Sequence, residues 1–290
     1  MKKLGYISIV IVSIAWGISF VTTKIALEVF NPLGLMFFKF LFSMILFMVI
    51  MKITSTNFKV KKTDKIWFLL STLFGFVLYF IFEGIAIDML NASSAALILA
   101  FEPVVIMVMS YIFLKEKLSF AKKVVIPITI FGVYLIVFTT GGSSDLLGYM
   151  FMFLAIIMWG FYVIVSSKLT DKYSVLKITG IQATIAFFAF VPFIFTQNID
   201  YSVIELKHIL SVAYLGLVPS GLALFLYIFS LKAIGNTTAS LFINFVPVVT
   251  AVLGVLFLQE VMTLNMILGG LIIVVAITFT IIVDLSTRNH

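Results

Sequence analysis

The segment that decides the fold occurs twice in this chain, first as residues 4–27, LGYISIVIVSIAWGISFVTTKIAL, and again as residues 147–169, LGYMFMFLAIIMWGFYVIVSSKL. The Leu-Gly-Tyr and Trp-Gly elements of the first copy recur 143 positions later. Pro103 and Glu116 likewise recur as Pro247 and Glu260, 144 positions later. The repeat predicts two related halves, residues 1–140 and residues 147–290.

The composition places both halves in lipid. The chain is 63% hydrophobic and 11% charged, whereas a soluble domain is about half apolar and about a quarter charged. Helices of roughly 20 residues are needed to cross a bilayer, so ten of them use nearly the whole chain. The apolar runs lack the alternation of a membrane β-barrel. The predicted spans are residues 4–27, 32–51, 66–87, 92–114, 121–140, 147–167, 174–196, 209–230, 237–258 and 264–284.

Five spans per half is an odd number, so the second half enters the membrane from the side opposite to the first. The sequence therefore predicts an all-α integral membrane fold of ten transmembrane helices in two inverted five-helix repeats. We expect a two-fold axis in the membrane plane to relate the halves. Inverted halves that meet near the bilayer midplane are the usual architecture of secondary transporters.

Several function classes are disfavoured by what the sequence lacks. The chain has no cysteine, and its two histidines, His208 and His290, lie at the edges of predicted spans. We therefore expect no disulfide, no metal site, no cofactor and no enzymatic activity. The net charge of +7 could indicate a nucleic-acid partner. Its distribution indicates membrane orientation instead, so no nucleic acid is expected.

The loop charges predict the orientation of the chain. Cationic residues are concentrated on one side of the membrane in bacterial-type inner-membrane proteins, the cytoplasmic side. Only Lys207 falls in the loops of the opposite set. The sequence thus predicts a multi-pass protein of the cell membrane with both termini in the cytoplasm. The cationic residues of the predicted cytoplasmic set are Lys2, Lys3, Lys52, Lys59, Lys61, Lys62, Lys65, Lys115, Lys117, Lys122, Lys123, Lys168, Lys172, Lys177, Lys232 and Arg288.

Three ionisable residues fall well inside predicted spans: Lys39, Glu83 and Glu102. A charge at the bilayer centre costs about 2.5–3.5 kcal/mol or more, so each is a candidate for function. The repeat places uncharged residues at the equivalent positions of the second half, namely Gln182, Tyr227 and Val246. This asymmetry favours a role in a cavity. The alternative is a buried ion pair, such as Lys39 with Glu102, that only fixes the packing of helices.

Polar and aromatic residues on the same helix faces extend the candidate site. Tyr79 lies four positions before Glu83 and so shares its helix face. Aromatic and amide groups suit the wall of a pocket for an organic solute, although they also fill gaps in helix bundles. The further candidate substrate-binding residues are Trp16, Tyr79, Trp159, Gln182, Tyr227 and Asn244. Pro103 and Pro247 are candidate hinge or kink positions, since each removes a backbone hydrogen bond from a helix.

The ordered set of these motifs resembles the drug/metabolite transporter superfamily, specifically proteins with two EamA-type domains. The matching features are Trp16-Gly17, Phe38-Lys39-Phe40, the small-residue entry to span four with Glu102-Pro103, and Leu114-Lys115-Glu116-Lys117-Leu118. A weaker version recurs in the second half and ends at Glu260. The family commonly has Arg where this chain has Lys39, and Lys lacks the bidentate fork of Arg. The resemblance implies a central cavity, alternating access and cytoplasmic termini.

The sequence and the resemblance together predict a secondary transporter, an exporter of small organic solutes such as amino acids or related metabolites. Lys39 would attract a carboxylate, and Glu83 or Glu102 an ammonium group. Two acidic groups and one basic group leave the cavity negative unless a proton binds, which favours proton coupling. The alternatives are export of cationic drugs or quaternary amines, a channel, and a lipid scramblase. Membrane lipids are expected partners, and the protein is expected to be a monomer or a homodimer.

Orientation can be tested with single cysteines at Lys59, Lys172, Asp145 and Asp200 of this cysteine-free chain. In intact cells, a membrane-impermeant thiol reagent should label the variants at Asp145 and Asp200 and spare the other two, because the charge bias places them on opposite sides. Labelling of the Lys59 or Lys172 variant without permeabilisation would reverse the predicted topology.

Overall fold

The computed structural model describes residues 2–115, 120–140, 143–196, 199, 201–234, 239, 242–243 and 245–288. Glu116 and Asn244, both singled out above, lie outside the described residues. Every regular element within these ranges is a helix, and they contain no strand. The all-α membrane fold predicted from composition is thereby confirmed.

The helices follow the predicted spans closely. Seven stretches are long and apolar enough to cross a membrane: residues 2–26, 32–53, 62–89, 92–113, 146–170, 175–195 and 206–234. Three shorter apolar helices cover residues 123–137, 245–258 and 264–279 within the described part of the chain. The count of ten crossings stays a prediction. In chain order the α-helices are α1 Lys2–Ala26, α2 Pro32–Ile53, α3 Lys65–Thr72, α4 Tyr79–Met89, α5 Ala92–Leu99, α6 Glu102–Leu114, α7 Phe120–Thr140, α8 Ser143–Thr170, α9 Val175–Phe190, α10 Leu206–Leu217, α11 Leu224–Ile234, α12 Phe245–Leu258 and α13 Leu264–Arg288.

Two predicted spans contain a stretch of π-helix. Residues 73–78 join α3 to α4, and residues 218–223 join α10 to α11. A π-helical turn widens the helix and frees backbone groups, and such turns are frequent at functional sites. The stretches begin at Leu73 and Val218, a spacing close to that of the sequence repeat. Both therefore occupy the third span of their predicted half.

The fourth span is broken rather than continuous. α5 ends at Leu99 and α6 begins at Glu102, with Ala100 and Phe101 between them in a turn. Pro103 consequently lies in the first turn of α6, where a missing N–H removes no helical hydrogen bond. Pro247 lies within α12. The sequence placed Pro103 at mid-helix, and the described geometry places the interruption just before it.

The helices pack into one bundle, with α7 and α13 paired side by side. A Cβ atom at Gly269 would lie 2.5 Å from the Gly132 carbonyl, so only glycine permits this approach. Elsewhere α1 packs on α10, α11 and α12, α2 on α9, and α4 on α8. Helices of the predicted halves thus interleave, and their shared interior lies between α1, α2, α4 and α8.

Glu260, which follows α12, clamps the start of α5. Its carboxylate accepts hydrogen bonds from the backbone N–H groups of Ala92, at 2.6 Å, and Ser93, at 3.0 Å, and from the Ser93 hydroxyl. A negative charge is favourable at a helix N-terminus, whose first N–H groups lack partners within the helix. The helix that follows Glu260 is capped by Thr263, whose hydroxyl accepts from the Met266 N–H at 3.2 Å.

A lysine reinforces the same end of the bundle. The Lys24 ammonium donates to the carbonyls of Ile87, Asp88 and Leu90 at 2.8–2.9 Å, which caps the C-terminal end of α4. Positive charge is favourable at a helix C-terminus, because its last carbonyl groups lack partners within the helix. Lys24 and Glu260 hold the two sides of the α4–α5 turn, and Glu260 does so from the other predicted half of the chain. The turn is therefore fixed across the boundary between the halves.

Glu260→Gln should lower the stability of the folded protein by about 1–3 kcal/mol, because one carboxylate oxygen that accepts hydrogen bonds becomes an amide donor. The melting temperature in detergent measures this. Asp88→Asn serves as the control, since this carboxylate is exposed at the same end of the bundle. Equal melting temperatures for Glu260→Gln and wild type would contradict a stabilising clamp.

Candidate solute-binding cavity

A cavity with about 410 Å³ of space between protein atoms, including space open to solvent, lies inside the bundle. It is formed where the broken fourth span and the second π-helical stretch face α1, α2, α4 and α8. Six of the nine residues predicted to bind solute lie in its wall. The lining residues are Trp16, Ser19, Phe20, Lys39, Tyr79, Phe80, Glu83, Leu99, Glu102, Trp159 and Pro219.

Glu83 and Tyr79 form a hydrogen-bonded pair on α4. Both side chains are buried, and the Tyr79 hydroxyl donates to Glu83 Oε1 at 2.8 Å. Their spacing of four residues places them on one helix face, as the sequence predicts. The bond satisfies part of the acceptor capacity of a carboxylate that water cannot freely reach.

Lys39 reaches the cavity from α2 and is only 2% exposed. Its ammonium lies 3.7 Å from the centre of the Phe80 ring, a cation–π contact. The negative charge of Glu83 attracts the Lys39 ammonium. Lys39 nevertheless lies farther than 4.0 Å from every carboxylate oxygen of the described residues. The ammonium also makes no hydrogen bond to a described residue. Its three donors therefore remain available to a molecule in the cavity.

Glu102 enters from the first turn of α6 and is 3% exposed. The break after Ala100 turns the chain so that this carboxylate faces the cavity. The Glu102 carboxylate interacts with the Trp159 indole N–H, although the two groups do not meet the geometry of a full hydrogen bond. The charge of Glu83 repels that of Glu102. Of the two carboxylates, Glu102 is thus the less satisfied by the protein.

Aromatic rings close one side of the cavity. Trp16 and Trp159, which the repeat relates, meet edge to face with ring centres 5.8 Å apart. Tyr79 contacts Trp159 at 4.8 Å, and Tyr227 contacts Trp16 at 5.1 Å from behind the wall. The Trp16 indole donates to the Pro219 carbonyl at 3.2 Å. The second π-helical stretch thereby fixes one ring of the wall.

The remaining predicted site residues lie elsewhere. Gln182 is fully buried, and its amide nitrogen donates to the Ser71 hydroxyl at 2.8 Å, joining α9 to α3 outside the cavity wall. Tyr227 supports the wall without lining the cavity, and Asn244 lies outside the described residues. Among the lining residues, sequence reasoning missed Ser19, Phe80, Leu99 and Pro219. Nothing in the sequence distinguishes Phe80 from the other phenylalanines among the 32 in the chain. Ser19 could have been found from helical spacing, because it lies three positions after Trp16.

The arrangement combines two acidic groups, one basic group and aromatic faces in a buried space. Such a space can bind an organic molecule that carries an ammonium group, or both an ammonium and a carboxylate. Among the described residues, no three His, Cys, Asp or Glu side chains converge as they would around a metal ion.

Comparisons with known proteins give a consistent assignment. The model of the EamA-like transporter family matches residues 3–138 and again residues 146–282. An uncharacterized transporter of Archaeoglobus fulgidus is 24% identical over 277 residues, which cover 96% of this chain and 98% of that protein. The uncharacterized transporter YdfC of Bacillus subtilis is 26% identical over 269 residues, which cover 91% of this chain and 87% of its own.

The fold also has a counterpart among solved structures. One crystal structure superposes with a TM-score of 0.72 at 15% sequence identity and covers 98% of this chain and 99% of its own. At that identity the likeness extends to the fold alone. The two family matches together span nearly all of the sequence. The chain therefore belongs to the EamA-like transporter family and is a multi-pass membrane transporter.

Proposed function

We propose that the protein is a secondary active transporter that exports amino acids or related small metabolites by alternating access, with a proton as coupling ion. The observation that carries this proposal is that two groups of opposite charge line one buried cavity. The Lys39 ammonium makes no hydrogen bond to a described residue, and the Glu102 carboxylate interacts only with the Trp159 indole N–H among the described donors. An amino acid supplies the complementary groups, a carboxylate for Lys39 and an ammonium for Glu102.

The two carboxylates take different roles in this proposal. Glu83 is held by Tyr79 and lies near Lys39, so it keeps Lys39 charged and in position. Glu102 has no such support and is the group that binds the solute ammonium or, in its absence, a proton. The exchange of a proton for an ammonium at one carboxylate couples the two movements, because a charge inside the bundle requires a partner. The aromatic wall accommodates the side chain of the solute.

The topology completes the proposal. We infer that the halves, residues 1–140 and 147–290, form an inverted pair in the cell membrane with both termini in the cytoplasm. The loop charges and the repeat support this. The cavity lies where helices of both halves interleave, which is where inverted-repeat transporters bind their solutes.

Export of cationic drugs or quaternary amines is the second candidate. It is supported by the excess of one negative charge in the cavity and by the cluster of Trp16, Trp159 and Tyr79 rings, whose faces attract cations. A thermal-shift screen against amino acids and quaternary amines separates the candidates, since a ligand raises the melting temperature according to its occupancy. Stabilisation by quaternary amines alone would favour the second.

Glu102→Gln keeps the shape of the side chain and removes its charge. Transport in proteoliposomes should fall about tenfold or more, because a charge-assisted hydrogen bond of about 1.5–3 kcal/mol to the solute is lost. The yield and melting temperature in detergent should stay near those of wild type. Asp88→Asn, a carboxylate-to-amide change outside the cavity, should leave transport unchanged.

Two results would contradict this role. If Glu102 only neutralised Lys39, Glu102→Gln would impair folding and the added change Lys39→Met would restore stability, because a buried charge would no longer lack its partner. Normal yield together with unaltered transport would make Glu102 a passive group beside the cavity.

A further inference from the structure

A second cavity lies between α8 and α11, and Tyr162 in its wall contacts Trp159 of the first cavity. It has about 860 Å³ of space between atoms, including space open to solvent. Tyr162, Ser166 and Thr170 line it from α8, and their spacing of four residues places them on one helix face. Asp171 and Lys232 lie at its mouth, and both are exposed.

Two buried hydroxyl groups of residues that line this cavity face each other. Tyr162 is 1% exposed and Ser166 is 6% exposed. The phenol oxygen and Ser166 Oγ interact with each other, but neither meets the geometry of a full hydrogen bond with any described residue. The neighbouring hydroxyls differ, since Ser167 and Thr170 donate to carbonyls of their own helix. Buried hydroxyls normally bond to the protein or to water, so this pair is set to bind a molecule in the cavity.

Two contacting aromatic rings lie between the two cavities. Tyr162 contacts Trp159 with ring centres 4.7 Å apart, and Trp159 lines the first cavity. The Tyr162 ring is seated against Gly75, where a Cβ atom would come within 2.3 Å of its Cδ2 atom. Gly75 belongs to the first π-helical stretch, residues 73–78. The partition is therefore built from the irregular part of the third span.

We propose that this second cavity is a second binding station for the transported solute, a zwitterion with a carboxylate and an ammonium group. The Tyr162 and Ser166 hydroxyls donate to the carboxylate, while Lys232 and Asp171 attract the two charged ends at the mouth. The proposal rests on the proposed function, because the class of solute is taken from the charges of the first cavity. The loop charges predict that this mouth faces the cytoplasm, so an exported solute reaches the station first.

Thr170→Cys provides a reporter in this cysteine-free chain. Purified protein in detergent is labelled with a cationic methanethiosulfonate reagent, with and without an equimolar mixture of the common α-amino acids other than cysteine. Lys168→Cys is the control, since Lys168 is exposed two residues away and does not line the cavity. The mixture should slow labelling of Thr170→Cys severalfold and leave Lys168→Cys unchanged.

Two backgrounds identify the source of the protection. It should persist with Glu102→Gln, which alters only the first cavity, and disappear with Tyr162→Phe and Ser166→Ala together. The station is disproved if the mixture gives no protection, if protection survives loss of both hydroxyls, or if Glu102→Gln alone removes it. Protection that persists while Glu102→Gln leaves transport unaltered would instead defeat the proposed role of the first cavity and leave the station intact.

Discussion

The cost of placing charge inside a lipid-embedded bundle is the constraint on which this structure depends. Each charge near the bilayer centre costs about 2.5–3.5 kcal/mol or more, and Lys39, Glu83 and Glu102 all lie inside predicted spans. The protein gathers them into one cavity instead of pairing them completely. Glu83 obtains a hydrogen bond from Tyr79, and Lys39 obtains the face of Phe80. Glu102 faces only the Trp159 indole N–H, outside the geometry of a full hydrogen bond, and we therefore propose it as the group that binds the solute.

Irregular helices make that cavity. The break between α5 and α6 brings Glu102 to the first turn of a helix, and the stretch at residues 218–223 presents the Pro219 carbonyl to Trp16. The stretch at residues 73–78 supplies Gly75, against which Tyr162 packs. Backbone groups can depart from regular helix at membrane depth where they face protein or a cavity. Each departure here adjoins one of the two cavities.

Much of this arrangement could be predicted from the sequence, and the part that could was local or repetitive. Tyr79 and Glu83 share a face because of helical period, and Trp16 and Trp159 occupy equivalent positions of the repeat. The contacts that join distant segments could not be predicted. Glu260 binds the start of α5, which lies 167 or more positions away along the chain. Phe80 of α4 contacts Lys39 of α2. A carboxylate beside an apolar span gives no indication of which helix N-terminus it will cap. Gln182 shows the converse, since its place in the repeat suggested the cavity whereas packing directs its side chain to Ser71.

We propose that the solute binds between Lys39 and Glu102, and a structure of the protein with a solute from the thermal-shift screen bound tests this. We expect a carboxylate of the solute within hydrogen-bond distance of Lys39 Nζ and its ammonium within hydrogen-bond distance of the Glu102 carboxylate. A transported solute bound in contact with neither residue would disprove this binding site.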